Sequence, residues 1–134
     1  FEFSEFLTAH GAPATTRPDT RKTVYHRSCH MLRELGIGSG PERLLEATGA
    51  MRATSAASEL CCGFGGLFSV KLPEASVAMA DEVLDAADAT EATRMAGCDA
   101  SCLLHLEARA RRRGSEMEFR HLAEVMDETS RLPI

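Results

Sequence analysis

Lys22-Thr23-Val24-Tyr25-His26-Arg27-Ser28-Cys29 is a short β-prone run that ends on a cysteine, and residues 29–35 after it read as a helix stopped by Gly36. A strand passing into a helix through a cysteine turn is the unit that recurs along this sequence. Downstream, residues 92–96 are a strand candidate leading through Gly97-Cys98-Asp99 into a helix over about 101–112, which places Cys98 and Cys102 at a second such turn. Between the two lies Cys61-Cys62-Gly63-Phe64-Gly65-Gly66. A buried structural cysteine behaves as a small hydrophobe, and packing gives no reason to set two of them beside a flexible glycine turn. A metal cluster gives one, because it needs several thiolates converging on one point with backbone able to approach closely.

Outward from these turns, the remaining segments complete a strand and helix alternation. Residues 41–48 read as a helix that Pro41 begins and Gly49 stops, and 51–55 as a strand. Residues 73–89 read as a long helix whose apolar stripe is Val77, Ala80, Val83, Leu84 and Ala87. Residues 116–119 form a last strand candidate and 121–130 a last helix, with Leu122, Val125 and Met126 inward. Upstream, Phe3, Phe6 and Leu7 recur at helical spacing with Ser4 as candidate cap, and residues 11–19, with Pro13 and Pro18, read as a loop. The alternation predicts an α/β fold, a small parallel sheet of about four strands with helices on both faces. Its cysteine turns would then lie along the carboxyl edge, where such sheets take their ligands. The expected organisation is a single domain over 1–134, with an N-terminal helix and linker over 1–20 and an α/β body over 21–134. Because it begins at Phe1, the sequence is expected to be the C-terminal part of a longer chain.

Composition narrows the function. A chain of 134 residues can bury roughly 68% of its unfolded surface, so it needs no disulfide staples. Five cysteines cannot all pair within one chain, and with 26% charged residues the composition is that of an intracellular domain whose thiols serve metal or redox chemistry. A net charge of −5 argues against a nucleic-acid partner. No apolar run approaches the roughly 20 residues of a membrane span.

The residues leave three chemistries open. Four thiolates suit a [4Fe-4S] cluster, with Gly63, Gly65 and Gly66 letting backbone N–H groups point at cluster sulfur. A structural zinc site could instead use Cys61, Cys62, Cys102 and either Cys29 or His30. A metal-free thiol and disulfide protein is the third. Helix N-termini at Cys29 and Cys102 would favour thiolate by about 0.3–1 kcal/mol each, which tunes a site without creating one. His26, His30 and His105 are expected to take polar roles in the turns, and the basic run at Arg109, Arg111, Arg112 and Arg113 to complement a helix C-terminus. The glycines at 36–40 follow a helix and precede Pro41, so they are no dinucleotide fingerprint.

Tyr25-His26-Arg27-Ser28-Cys29-His30, the CCGFGG run at 61–66, Asp99-Ala100-Ser101-Cys102-Leu103-Leu104-His105 and Arg120-His121-Leu122-Ala123-Glu124-Val125 together resemble the cysteine-rich CCG domain. That domain occurs in heterodisulfide reductase, in the iron-sulfur subunit of glycolate oxidase and in lactate-utilisation proteins. The likeness is greatest to the second CCG half of the lactate-utilisation type and extends over nearly the whole chain. The resemblance implies Cys29, Cys61, Cys62 and Cys102 as iron-sulfur ligands. The heterodisulfide reductase form closes its motif with Cys-x-x-Cys, whereas three residues separate Cys98 from Cys102 here, so Cys98 is set apart from the four ligands and is expected, with Gly63, only to contact the cofactor. It further implies an electron-transfer subunit of an oxidoreductase system acting on L-lactate or glycolate, with other iron-sulfur or flavin subunits as partners. The expected location is the cytoplasm, with any membrane association made through those partners.

Overall fold

Side chains alternate across each strand, and that alternation divides the core in two. The computed structural model describes residues 1–131 and contains strands β1 (Lys22–Tyr25), β2 (Met51–Ala53), β3 (Arg94–Gly97) and β4 (Glu118–His121). All pair in parallel, in the order β2-β1-β3-β4. Ala53, Val24, Met95 and Phe119 form one register row across the four strands. This row packs under α4 (Pro73–Asp88) and α5 (Ala100–Arg112), against Val83, Leu84, Ala87 and Leu106. One residue further along, Tyr25 and Ala96 face the opposite way, against Leu44 and Leu45 of α2 (Gly40–Ala47) and Leu122 and Val125 of α6 (Leu122–Ser130). Each fully buried Leu or Val on either face contributes about 1.5–3 kcal/mol.

The chain order explains the layers. From β1 the chain passes through α2 to β2 on one side, then returns through α4 to β3 on the other side of β1. Right-handed crossovers in opposite directions put the two connecting helices on opposite faces, and the reversal opens a crevice between the carboxyl ends of β1 and β3. α1 (Phe3–His10) lies against α2, with Leu7 on the second core. The expected α/β fold with a parallel sheet and helices on both faces is present.

Several local expectations shift. Ser4 does not cap α1: the Glu2 carboxylate accepts from the Ser4 N–H at 2.8 Å, and Glu5 bonds back to the Glu2 N–H. The segment after Cys29 is a π-helical turn, His30–Glu34, and not an α-helix over 29–35. β3 and β4 begin two residues later than residue patterning suggests. Glu91 at φ 60° and the Thr90 hydroxyl, which accepts from Ala92 N–H at 3.2 Å, hold 90–92 as a turn, and the Ser115 hydroxyl does the same for Met117. A five-residue helix, α3 (Leu67–Lys71), follows the glycines; it is too short to show a period in the sequence.

The amino end of the sheet carries an ion pair that sequence pattern does not reveal. Arg94 has a fully buried side chain, its Nη1 donates to Asp19 Oδ2 at 2.7 Å, and its Nε donates to the Thr23 hydroxyl at 3.1 Å. Arg21 also holds Asp19, at 2.6 Å. The Arg21 guanidinium first, and Arg94 after it, hold the Asp19 carboxyl well below the usual carboxylate range. No helix among the described residues is long and apolar enough to cross a membrane.

Candidate metal centre

The carboxyl end of the sheet gathers four of the five cysteines from three separate turns. Cys29 follows β1 and heads the π-helical turn, where the buried Ser28 hydroxyl accepts from Met31 N–H at 3.2 Å. Cys61 and Cys62 precede α3, and Cys102 lies in the first turn of α5. Cys62 Sγ and Cys102 Sγ are 3.1 Å apart, both buried. Burial raises the Cys29 thiol above its ordinary range, and the neighbouring Cys61 and Cys62 add to the shift.

Cys62 and Cys102 do not share a charge evenly. The sulfur contact with Cys102 lowers the Cys62 thiol to about 7, helped by the Phe64 N–H. The same contact with the Cys62 sulfur, together with burial, pushes the Cys102 thiol up. The helix N-terminus does not make Cys102 a thiolate. The Asp99 carboxylate caps α5, accepting from Ser101 N–H at 3.0 Å and Cys102 N–H at 3.2 Å, and so places a negative charge where the dipole would help.

The glycine turn is shaped by its neighbours. Gly63 has φ 86°, and a Cβ there would come within 2.6 Å of the Ser76 carbonyl oxygen and 2.9 Å of Met79 Cβ in α4. Its N–H donates to Cys61 Sγ at 3.4 Å. Its carbonyl accepts from the Ser76 hydroxyl at 2.6 Å, and that hydroxyl lies 3.3 Å from His105 Nε2. The turn is thereby tied to both α4 and α5, with Phe64 against the His105 ring at 5.7 Å between centroids. Gly63→Ala is expected to destabilise the protein by about 2–4 kcal/mol, from the left-handed backbone and the overlap together. Gly66→Ala has φ 56° and open space around it, and should cost only about 1–2 kcal/mol. Thermal unfolding of the two variants side by side checks this.

Cys98 does not join the four. It packs on the opposite face with the Tyr25, Leu44 and Leu45 core, and burial pushes its thiol up to about 12 beside the Tyr25 hydroxyl. His30 Nδ1 bonds the Glu34 carboxylate at 2.9 Å, on the surface. His121 caps α6 through Nδ1, which accepts from Ala123 N–H at 3.1 Å, a role its sequence position does not suggest.

Residue patterning also missed the state of His26. Its ring is 2% exposed, and neither nitrogen has a hydrogen-bond partner among the described residues. Burial lowers it to about 4, so the imidazole is neutral at pH 7. Two unmet polar atoms of this kind cost about 1–3 kcal/mol each. The signal was present in the strand period, which sets residue 26 on the same face as Val24.

Four thiols and two backbone N–H groups turned toward their sulfurs form a donor set of the kind that suits an iron-sulfur group. Among the described residues, no three His, Cys, Asp or Glu side chains already stand at ligation distance around a single ion.

The comparisons with known proteins point the same way. A family model described as a cysteine-rich domain, CCG, matches residues 23–107, which include all five cysteines. Lactate utilization protein A of Exiguobacterium sp. is 44% identical over 108 residues, covering 80% of this chain and 44% of the relative. Lactate utilization protein A 1 of Bacillus mycoides is 36% identical over 130 residues, covering 96% of this chain and 53% of the relative. Lactate utilization protein A of Shouchella clausii is 42% identical over 108 residues, with 80% and 45% covered. The chain spans about half the length of the curated relatives it matches. On the strength of the family match across most of its length and of these relatives, the chain belongs to the CCG cysteine-rich domain family.

Proposed function

We propose that this chain holds a [4Fe-4S]-type cluster and carries electrons in a cytoplasmic system that oxidises a small 2-hydroxy acid, L-lactate or glycolate, together with other iron-sulfur or flavin subunits. The observation that carries this reading is the meeting of Cys29, Cys61, Cys62 and Cys102 from three turns at the carboxyl end of a parallel sheet. Cys29, Cys61, Cys62 and Cys102 are the ligands. The relatives' printed names supply the link to lactate. The cluster, when bound, accepts and releases single electrons. The protein's part is to hold the thiolates, to direct Gly63 and Phe64 N–H groups at sulfur and to limit water at the buried Cys62 and Cys102 side. Anaerobic protein mixed with its partner subunits should lose visible absorbance when L-lactate or glycolate is added and regain it with an electron acceptor. An intact cluster whose spectrum neither substrate changes would rule out the hydroxy-acid assignment.

One observation favours a second reading, thiol and disulfide chemistry: Cys62 and Cys102 are already in sulfur contact at 3.1 Å. Metal-free protein treated with diamide should form this disulfide, the two thiols giving up two electrons and two protons to the oxidant. Peptide mapping that finds Cys62 joined to Cys102 checks it, and Cys98, on the other face, should remain a free thiol.

A further inference from the structure

We propose that His26 is a positioning residue for the redox centre: its ring N–H donates to a sulfur of the group held by the four cysteines and raises that group's reduction potential. The inference rests on the iron-sulfur reading above. His26 directly follows β1, whose neighbour β3 lies on the side where the strand order reverses. Its backbone N–H donates to Ala96 O at 2.8 Å, so the ladder continues one residue past β1 and the side chain falls on the face shared by Val24, Cys62 and Cys102. Gly97 closes the crevice behind it: a Cβ there would stand 3.3 Å from the His26 carbonyl oxygen and 3.4 Å from Leu103 Cδ2.

A neutral imidazole carries one donor and one acceptor nitrogen, and at 2% exposure water is not a general partner for them. No protein group takes that role among the described residues. The nearby Asp99 carboxylate, whose charge acts on His26, is engaged through Oδ1 with Ser101 and Cys102. A filler at this position would be apolar, since an unmet imidazole is destabilising. Sulfur in a reduced, more negative cluster is the acceptor the site would bring to this face. Hydrogen bonds to cluster sulfur stabilise the reduced form and so raise the potential. Two residues, Arg27 and Ser28, separate His26 from Cys29 at the end of the same strand.

The test uses anaerobically purified protein with its full natural chain, as wild type, His26→Leu, His26→Gln and His105→Gln, with iron and sulfide counted first. His26→Leu should keep its iron, and at the wild-type midpoint its reduced fraction relative to oxidised should fall about five- to tenfold, tenfold being 59 mV for a one-electron couple. His26→Gln, whose amide can still donate, should recover part of that loss. Pulsed paramagnetic resonance of the reduced protein, labelled with 15N-histidine, should show a nitrogen coupling that His26→Gln removes and His105→Gln retains. Full iron in the variants with unchanged potential and unchanged coupling overturns the proposal while leaving the cluster reading intact. Absence of iron and sulfide from the wild type overturns both. Should His26→Leu lose its iron, the His26→Gln potential and the wild-type coupling decide the matter.

Discussion

Replacing Cys62 with serine is expected to empty the proposed cluster site and to leave the sheet folded. Cys62 is 2% exposed, and its thiol is held toward thiolate, at about 7. A serine hydroxyl does not ionise in that range and is a hard oxygen where the cluster calls for soft sulfur. Iron should fall from about four per chain to under about one, as four thiolates are the usual complement of such a cluster. Cys61→Ser should do the same. The fold survives because the row Ala53, Val24, Met95 and Phe119 and the Leu44, Leu45 and Val125 face do not depend on the site. A buried hydroxyl in place of the thiol costs about 1–3 kcal/mol, within the 5–15 kcal/mol typical of a domain. Iron and sulfide analysis with a circular dichroism melt on the same sample measures both halves. Full iron in either variant would remove these residues from the ligand set.

Asp19→Ala should have the opposite profile, a large loss of stability with the metal chemistry untouched. The Arg94 side chain is fully buried and Asp19 is its charged partner, while Thr23 supplies one further oxygen. Removing the carboxylate leaves a buried guanidinium without compensation, which costs about 3–5 kcal/mol. The pair sits at the amino end of the sheet, across its length from the cysteines, so anaerobic iron content per folded chain should not change. The pH dependence has a definite sign. Asp19 has a lowered folded pKa, so its contribution is fully present above the unfolded value near 4 and is lost as pH falls further. Urea midpoints of wild type and Asp19→Ala should therefore converge below about pH 4. A gap that persists unchanged into strong acid would show that the pair does not supply the difference.

Much of this architecture is legible in the residues, for physical reasons. The strand periods around Val24, Met95 and Phe119 and the stripe from Ala80 to Ala87 encode which faces are buried, although Val77, read into that stripe, is exposed, and the alternation of these segments encodes the parallel sheet. The cysteine turns follow, because a parallel sheet delivers every strand-to-helix turn to one edge. What escapes the sequence is set by tertiary contacts. The buried pair of Arg94 with Asp19 joins residues far apart in the chain, which no local propensity records. Cys98 is three residues past Met95 and so falls on the other side of the sheet from Cys102, although the two are close in sequence. Gly63 is also required by the Ser76 carbonyl and Met79 packed against it, contacts that the sequence does not record. His26 reads as an ordinary turn histidine until its burial and its missing partners are seen.

The most direct test of the central claim is iron and acid-labile sulfide analysis of the wild-type protein, purified without exposure to air. A brown protein with about four irons and about four sulfides per chain is the expected result. Colourless protein carrying stoichiometric zinc, or neither metal after strictly anaerobic handling, would contradict the account.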